Sequence, residues 1–112
     1  MHMPESGWLL RILLGESDRW DGIPTYEAIV RKARELHLAG ATVLRGSMGF
    51  GATSVVHTAK VLRLSGDLPI VIEIVDRREK IDELLEHVEE MLDGGLVTLE
   101  AVQVIHYRKQ RT

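Results

Sequence analysis

Leu68-Pro-Ile-Val-Ile-Glu-Ile-Val75, followed directly by Asp76-Arg-Arg-Glu79, is the stretch on which the fold turns. Its first part is rich in Ile and Val, the composition of a strand. Asp76 is placed as a helix N-cap, with Glu79 at the capping-box spacing. Ile81, Leu84, Leu85, Val88 and Leu92 then recur as one apolar stripe, and Asp93-Gly94-Gly95 ends the helix. Beyond the glycines, Leu96 to Tyr107 alternates as a strand, with a basic tail after it. Strand, helix and strand make one βαβ unit.

The same reading extends toward the N-terminus. Ala41-Thr-Val-Leu-Arg45 is β-branched and alternating, a strand that runs into Gly46-Ser-Met-Gly-Phe-Gly51. Before it, Ile29, Val30, Ala33 and Leu36 predict an amphipathic helix over Thr25 to Leu38, begun by Pro24 and stopped by Gly40. Gly15 to Pro24 is punctuated by Ser17, Asp18, Asp21 and Gly22. Trp8-Leu-Leu-Arg-Ile-Leu-Leu14 reads as a strand buried on both faces, after a loose start at Met1 to Gly7. The order is β-α-β-β-α-β. Two right-handed crossovers fused in this way predict a ferredoxin-like α+β domain, one antiparallel sheet with both helices on one face. The other face would be apolar and need cover, for which oligomerisation is the simplest remedy.

Composition bounds the function. With 112 residues and no linker, one domain spanning 1–112 is expected. A hydrophobic fraction of 45% and only 4% aromatics require an aliphatic core. The net charge of −3 offers no field for DNA, RNA or anionic membranes, so nucleic acid is not an expected partner. The absence of cysteine excludes disulfides, thiolate catalysis and Cys-ligated zinc, and fits a cytoplasmic location. Trp8 to Leu14 is too short for a membrane span and lacks the flanks of a signal peptide.

The long connection from Gly46 to Leu68 carries the functional signal, because structureless connections beyond roughly 12–15 residues are uncommon in compact domains unless they work. Phe50 reads as a hydrophobic anchor for the loop root, with base stacking as its other use. Arg45 reads equally as a phosphate contact or a solvated interface charge, and His57, near Lys60, as a phosphate contact or a solvent-facing residue. His57, His87 and His106 lie on separate elements without an HxxxH pair, so no metal site is assigned. Glu83, Glu86, Glu89 and Glu90 form a helix's solvated face. Ser47, Ser54 and Ser65 lack a His and Asp arrangement, and Gly46 to Gly51 is neither a nucleophile elbow nor a P-loop. No catalytic residue is assigned.

Taken in order, Ala39-Gly-Ala-Thr-Val43, Arg45-Gly46, Gly49-Phe-Gly51, His57, Asp67-Leu-Pro69 and Gly95-Leu-Val-Thr-Leu-Glu100 resemble the DUF190 family of PII-like proteins. Leu38 to Gly51 resembles the helix-strand-loop junction of the PII signalling proteins themselves. The resemblance covers nearly the whole chain. It implies a homotrimer whose sheets face inward and whose intersubunit clefts bind adenine nucleotides. Carried over residue by residue, Thr42 lies near the adenine, Gly46, Gly49 and Gly51 form the loop base, Gly94 and Gly95 precede the last strand, and His106 and Arg108 match two phosphate-facing arginines. The glycines would let backbone approach the ligand or turn through positive φ.

Two departures alter the expected ligand. No lysine stands beside Gly94 and Gly95, which removes a charge-assisted contact worth roughly 1.5–3 kcal/mol and favours AMP or ADP over ATP. Ala52-Thr53 replaces the Arg-Gln that helps hold magnesium and 2-oxoglutarate. A uridylylated tyrosine also has no counterpart between Gly51 and Lys60. The implied protein is a cytoplasmic trimeric sensor whose 46–68 loop regulates a partner such as a membrane transporter or fluoride channel. A ligand-free interaction module and a small-substrate enzyme on a ferredoxin-like trimer stay open as alternatives.

Overall fold

The computed structural model describes residues 5–51, 67–109 and the backbone of 57–58. Its elements are β1 (Glu5–Gly15), β2 (Arg19–Trp20), β3 (Ile23–Pro24), α1 (Thr25–Glu35), β4 (Thr42–Arg45), β5 (Met48–Gly49), β6 (His57–Thr58), β7 (Pro69–Asp76), α2 (Arg78–Met91) and β8 (Leu96–Val104). The main sheet has the order β4-β7-β1-β8 and every neighbouring pair is antiparallel. This is the expected ferredoxin-like arrangement.

Strand periodicity decides the core. Leu10, Ile12 and Leu14 of β1 and Ile70, Ile72 and Ile74 of β7 point to one face. There they meet Ile29 and Ala33 of α1 and Ile81, Leu84 and Val88 of α2, all buried. Burying an aliphatic side chain of this size is worth roughly 1.5–3 kcal/mol, so the aromatic-poor composition still supports a core. The expectation that β1 is buried on both faces is corrected: Leu9, Arg11 and Leu13 point to the other face and are only half-buried, because no element of the described chain covers it.

Several boundaries differ from expectation. β1 begins at Glu5, since Glu5 to Gly7 already pair with Val102 to Val104. α1 stops at Glu35 rather than Leu38, and Gly40 plays no part. His37 adopts the left-handed conformation (φ 64°), with its N–H on the Arg34 carbonyl (3.0 Å) and the Leu38 N–H on the Ala33 carbonyl (3.0 Å). These two bonds are a Schellman closure with histidine where glycine is usual. Lys80 Nζ caps the Leu36 carbonyl at 2.7 Å.

The capping box is not formed. Asp76 ends β7, and its carboxylate accepts from the N–H of Ala39 (2.8 Å) and of Arg77 (2.7 Å), while Arg77 is the N-cap of α2 without a side-chain bond. Between β1 and α1, Asp21 (φ 49°) and Gly22 (φ 84°) make the tight turn of the β2–β3 hairpin, a use of Asp-Gly that the punctuation only hinted at. The stretch from Gly46 to Leu68 is not free of regular structure either: β5 pairs with β6, Gly49 opposite His57. β8 ends at Val104 rather than Tyr107, so His106, Tyr107 and Arg108 lie beyond the ladder.

Candidate ligand-binding site

The uncovered sheet face is ordered in rows set by the register. Leu44, Val71, Leu13 and Leu96 form an apolar row across all four strands, and Thr42, Glu73, Arg11 and Thr98 form a polar row beside it. Arg11 bonds Glu73 at 2.9 Å and approaches Glu100 at 3.6 Å, which matches the charges that the row would otherwise leave bare.

Beyond the polar row the face opens into a cleft of about 870 Å³. Its floor is Leu9, Glu73 and Val75; its walls are residues 39–42 and the chain leaving β8, including His106 and Tyr107. Asp76 holds the first wall through Ala39 N–H, and the Tyr107 hydroxyl donates to the Ala39 carbonyl (3.4 Å) across the second. Thr42 and His106 therefore both border this one cleft. Glu73 and Val75 join them unforeseen, although the period of two in β7, with Ile70, Ile72 and Ile74 inward, already assigned both to the open face.

Arg45 and the glycine candidates sit at the opposite end of the sheet. Leu96 pairs with Leu13 whereas Val104 pairs with Glu5, so the turn at Gly94 and Gly95 is separated from the start of the tail by roughly 26 Å of strand. Gly94 (φ 107°) and Gly95 (φ 89°) do take positive φ. Gly46 and Gly49 do not, which corrects that part of the expectation: a Cβ there would come within 2.8 and 2.9 Å of the Pro69 ring, so these glycines admit Pro69 against the loop root. The Gly46 N–H also donates to the Pro69 carbonyl at 2.7 Å.

The Asp67-Leu-Pro69 motif thus has structural work. Besides the Pro69 contact, the Asp67 carboxylate accepts from Ser17 N–H (3.0 Å) and Leu68 carbonyl from Glu16 N–H (2.9 Å). Arg45 is ion-paired with Glu16 in this chain. Phe50 is 72% exposed, past the end of β5 and outside the core formed by the described residues. Gly51 follows it at the edge of the described residues. The His57 side chain lies outside them, as do residues 52–56 and 59–66 of the loop expected to regulate a partner. Arg108 borders a separate concavity with Arg34 and His37 rather than the cleft. Among the described residues no group of three His, Cys, Asp or Glu side chains is arranged to hold a metal ion, and no helix is long and apolar enough to cross a membrane.

The family model DUF190, described as Uncharacterized ACR, matches residues 7–104. The chain belongs to the DUF190 family. A UPF0166 protein of Aquifex aeolicus is 41% identical over 98 residues, 88% of this chain and 92% of the relative. A UPF0166 protein of Methanocaldococcus jannaschii is 34% identical over 92 residues, covering 81% and 84%. Among solved structures, CPII, a nitrogen regulatory PII-like protein from Thiomonas intermedia K12 bound to ADP, AMP and bicarbonate, superposes with a TM-score of 0.72 over 92% of both chains at 18% identity. This DUF190 chain therefore has the PII-like form of the ferredoxin-like fold. The 39–42 wall of the cleft and the glycine-Pro69 loop root fall within the span that the family model covers, whereas His106 and Tyr107 lie beyond it.

Proposed function

We propose that the protein is a PII-like regulatory subunit that acts as a homotrimer and binds an adenine nucleotide between chains. The observation that carries this reading is the division of the candidate site. Thr42, Glu73, Val75 and His106 stand at one end of an uncovered sheet face, and Gly46, Gly49, Gly94 and Gly95 at the other. A single chain keeps the two sets apart. Laying the open faces together around a three-fold axis would bury the apolar row and set one chain's cleft against the next chain's loop root.

The cleft suits a base and ribose better than a triphosphate. Apolar Leu9 and Val75 offer a surface for the base, and Thr42 and Glu73 offer hydrogen-bonding groups. The loop root supplies backbone rather than charge, since Arg45 is held by Glu16 and no lysine accompanies Gly94 and Gly95. AMP or ADP is favoured over ATP on this ground, and the solved CPII complex with ADP and AMP supports the ligand class. Binding would order residues 46–68 by contacts made in one loop conformation only, the differential that a switch requires. The partner class, a membrane transporter or channel met in the cytoplasm, rests on the family resemblance alone.

Calorimetric titration with adenosine, AMP, ADP and ATP tests the ligand. The expected result is saturable binding with AMP or ADP tighter than ATP. An absence of heat with all four, at protein concentrations sensitive to micromolar Kd, overturns the reading.

A further inference from the structure

On the far side of Tyr107 from the cleft lies a second concavity, of about 520 Å³, bordered by Arg34, His37, Arg108 and Lys109. Two elements far apart in sequence supply these side chains: the last turn and cap of α1, and the tail beyond β8. No carboxylate among the described residues borders the concavity. Among the described residues none of the four side chains makes a hydrogen bond or ion pair, whereas Arg11, Arg31, Lys32, Arg45, Arg78 and Lys80 each meet a carboxylate; Arg19 and Arg77 also lack one but stand apart from the concavity. The chain has 17 Asp and Glu against 14 Lys and Arg, so the unmatched cluster does not come from a shortage of acids.

Placement near a helix C-terminus, where cations are favoured, accounts for Arg34. It does not account for Arg108 and Lys109, which the tail brings to the same place. The backbone behind the cluster is fixed: the Schellman closure sets His37, Lys80 Nζ holds the Leu36 carbonyl, and the Tyr107 hydroxyl meets Ala39. The backbone frame is therefore already in place, and only the side-chain rotamers remain to be ordered on meeting an anion.

We infer that this concavity is a binding site for a phosphoryl-type oxyanion, with Arg34 and Arg108 as forked donors, Lys109 as a point charge and His37 as a further donor. Ala39 and Tyr107 border both the concavity and the cleft. The oxyanion therefore has two sources: a free phosphate compound, or the phosphate end of a nucleotide whose base occupies the cleft and whose chain passes Tyr107. In the second case the inference rests on the nucleotide reading; in the first it stands without it.

The test is calorimetric titration of the full chain with inorganic pyrophosphate, ADP and adenosine at fixed ionic strength, for the wild type, Arg34→Gln and Arg34→Lys. Circular dichroism and particle mass check that the exposed substitutions leave the fold and assembly intact. Saturable pyrophosphate binding that weakens by roughly tenfold or more in Arg34→Gln, with partial recovery in Arg34→Lys, supports the site. Weaker ADP binding in Arg34→Gln with adenosine unchanged also supports it and names the nucleotide's phosphate as occupant. Unchanged ADP beside weakened pyrophosphate names a free oxyanion. Arg34→Gln with wild-type affinity for both pyrophosphate and ADP overturns the site. Failure of every adenine ligand to bind sinks the nucleotide reading, while the pyrophosphate arm still decides this one.

Discussion

Gly95 is the glycine whose replacement the structure forbids on two counts. Its φ of 89° is left-handed, and a Cβ would lie 2.7 Å from the Leu13 carbonyl oxygen, a backbone atom in the central strand that cannot swing aside. The backbone conformation alone costs an L-residue roughly 1–2 kcal/mol, and the overlap adds to it. Gly95→Ala is expected to lower the melting temperature by at least several degrees, since each kcal/mol shifts a domain of this size by roughly 4–8 °C. Gly40→Ala is the control: nothing lies within 4 Å of its Cβ and its φ is not positive, so thermal unfolding should change little. Equal melting temperatures for the two variants would contradict this account. The contrast also shows what sequence can and cannot say about a glycine. Both were read as punctuation, yet only the register of β8 against Leu13 reveals which one has no alternative. Gly46 and Gly49 likewise read as ligand-facing, and their contact with Pro69 depends on a residue some twenty positions away in the chain.

At the scale of elements, the parts set by periodicity were legible. The stripe of Ile81, Leu84 and Val88 on α2, the Ile run of β7 and the order of strands and helices followed from spacing alone. The ends were not, because tertiary bonds decide them. α1 ends on a left-handed histidine, a conformation that residue type predicts poorly, and the described pairing of β8 with β1 ends at Val104 opposite Glu5. Asp76 shows the same competition. Local spacing assigned its carboxylate to a capping box, but the chain folds so that Ala39 N–H comes within 2.8 Å and takes one oxygen, while Arg77 N–H takes the other at 2.7 Å. Asp76 thereby joins the end of β7 to the turn that forms a cleft wall. Asp76→Ala is expected to destabilise the protein to urea by about 1–3 kcal/mol, with Asp76→Asn intermediate because its amide oxygen can keep one of the two bonds. Helix content by circular dichroism should stay close to wild type, since no side-chain cap is lost. A large fall in helicity would restore the capping-box reading.

For the whole molecule the deciding feature is the face that the helices leave bare. Leu44 is 49% exposed and Leu96 55%, and between them Val71 and Leu13 complete a row that no described part of the chain covers. A contiguous apolar surface of this kind favours self-association, and because the row crosses all four strands it is the natural seam of the proposed trimer. In the proposed trimer the same seam would explain why the candidate site could be listed from sequence but not assembled in one chain: residues at the two ends of the sheet would meet only across subunits. Val71→Asp tests the seam. Val71 sits between Leu44 and Leu13, so a trimer would enclose three unpaired carboxylates, each costing several kcal/mol when desolvated without a partner. In an isolated chain the same carboxylate faces water on the side away from the core and is tolerated. Light scattering is therefore expected to give three times the 12.6 kDa chain mass for the wild type and the single-chain mass for Val71→Asp. Adenine nucleotide affinity should vanish with the assembly even though Thr42, Glu73 and His106 are untouched. A wild type that runs as a single chain, or a variant that dissociates yet binds nucleotide as before, would show that the site is complete within one subunit and that the open face serves another purpose.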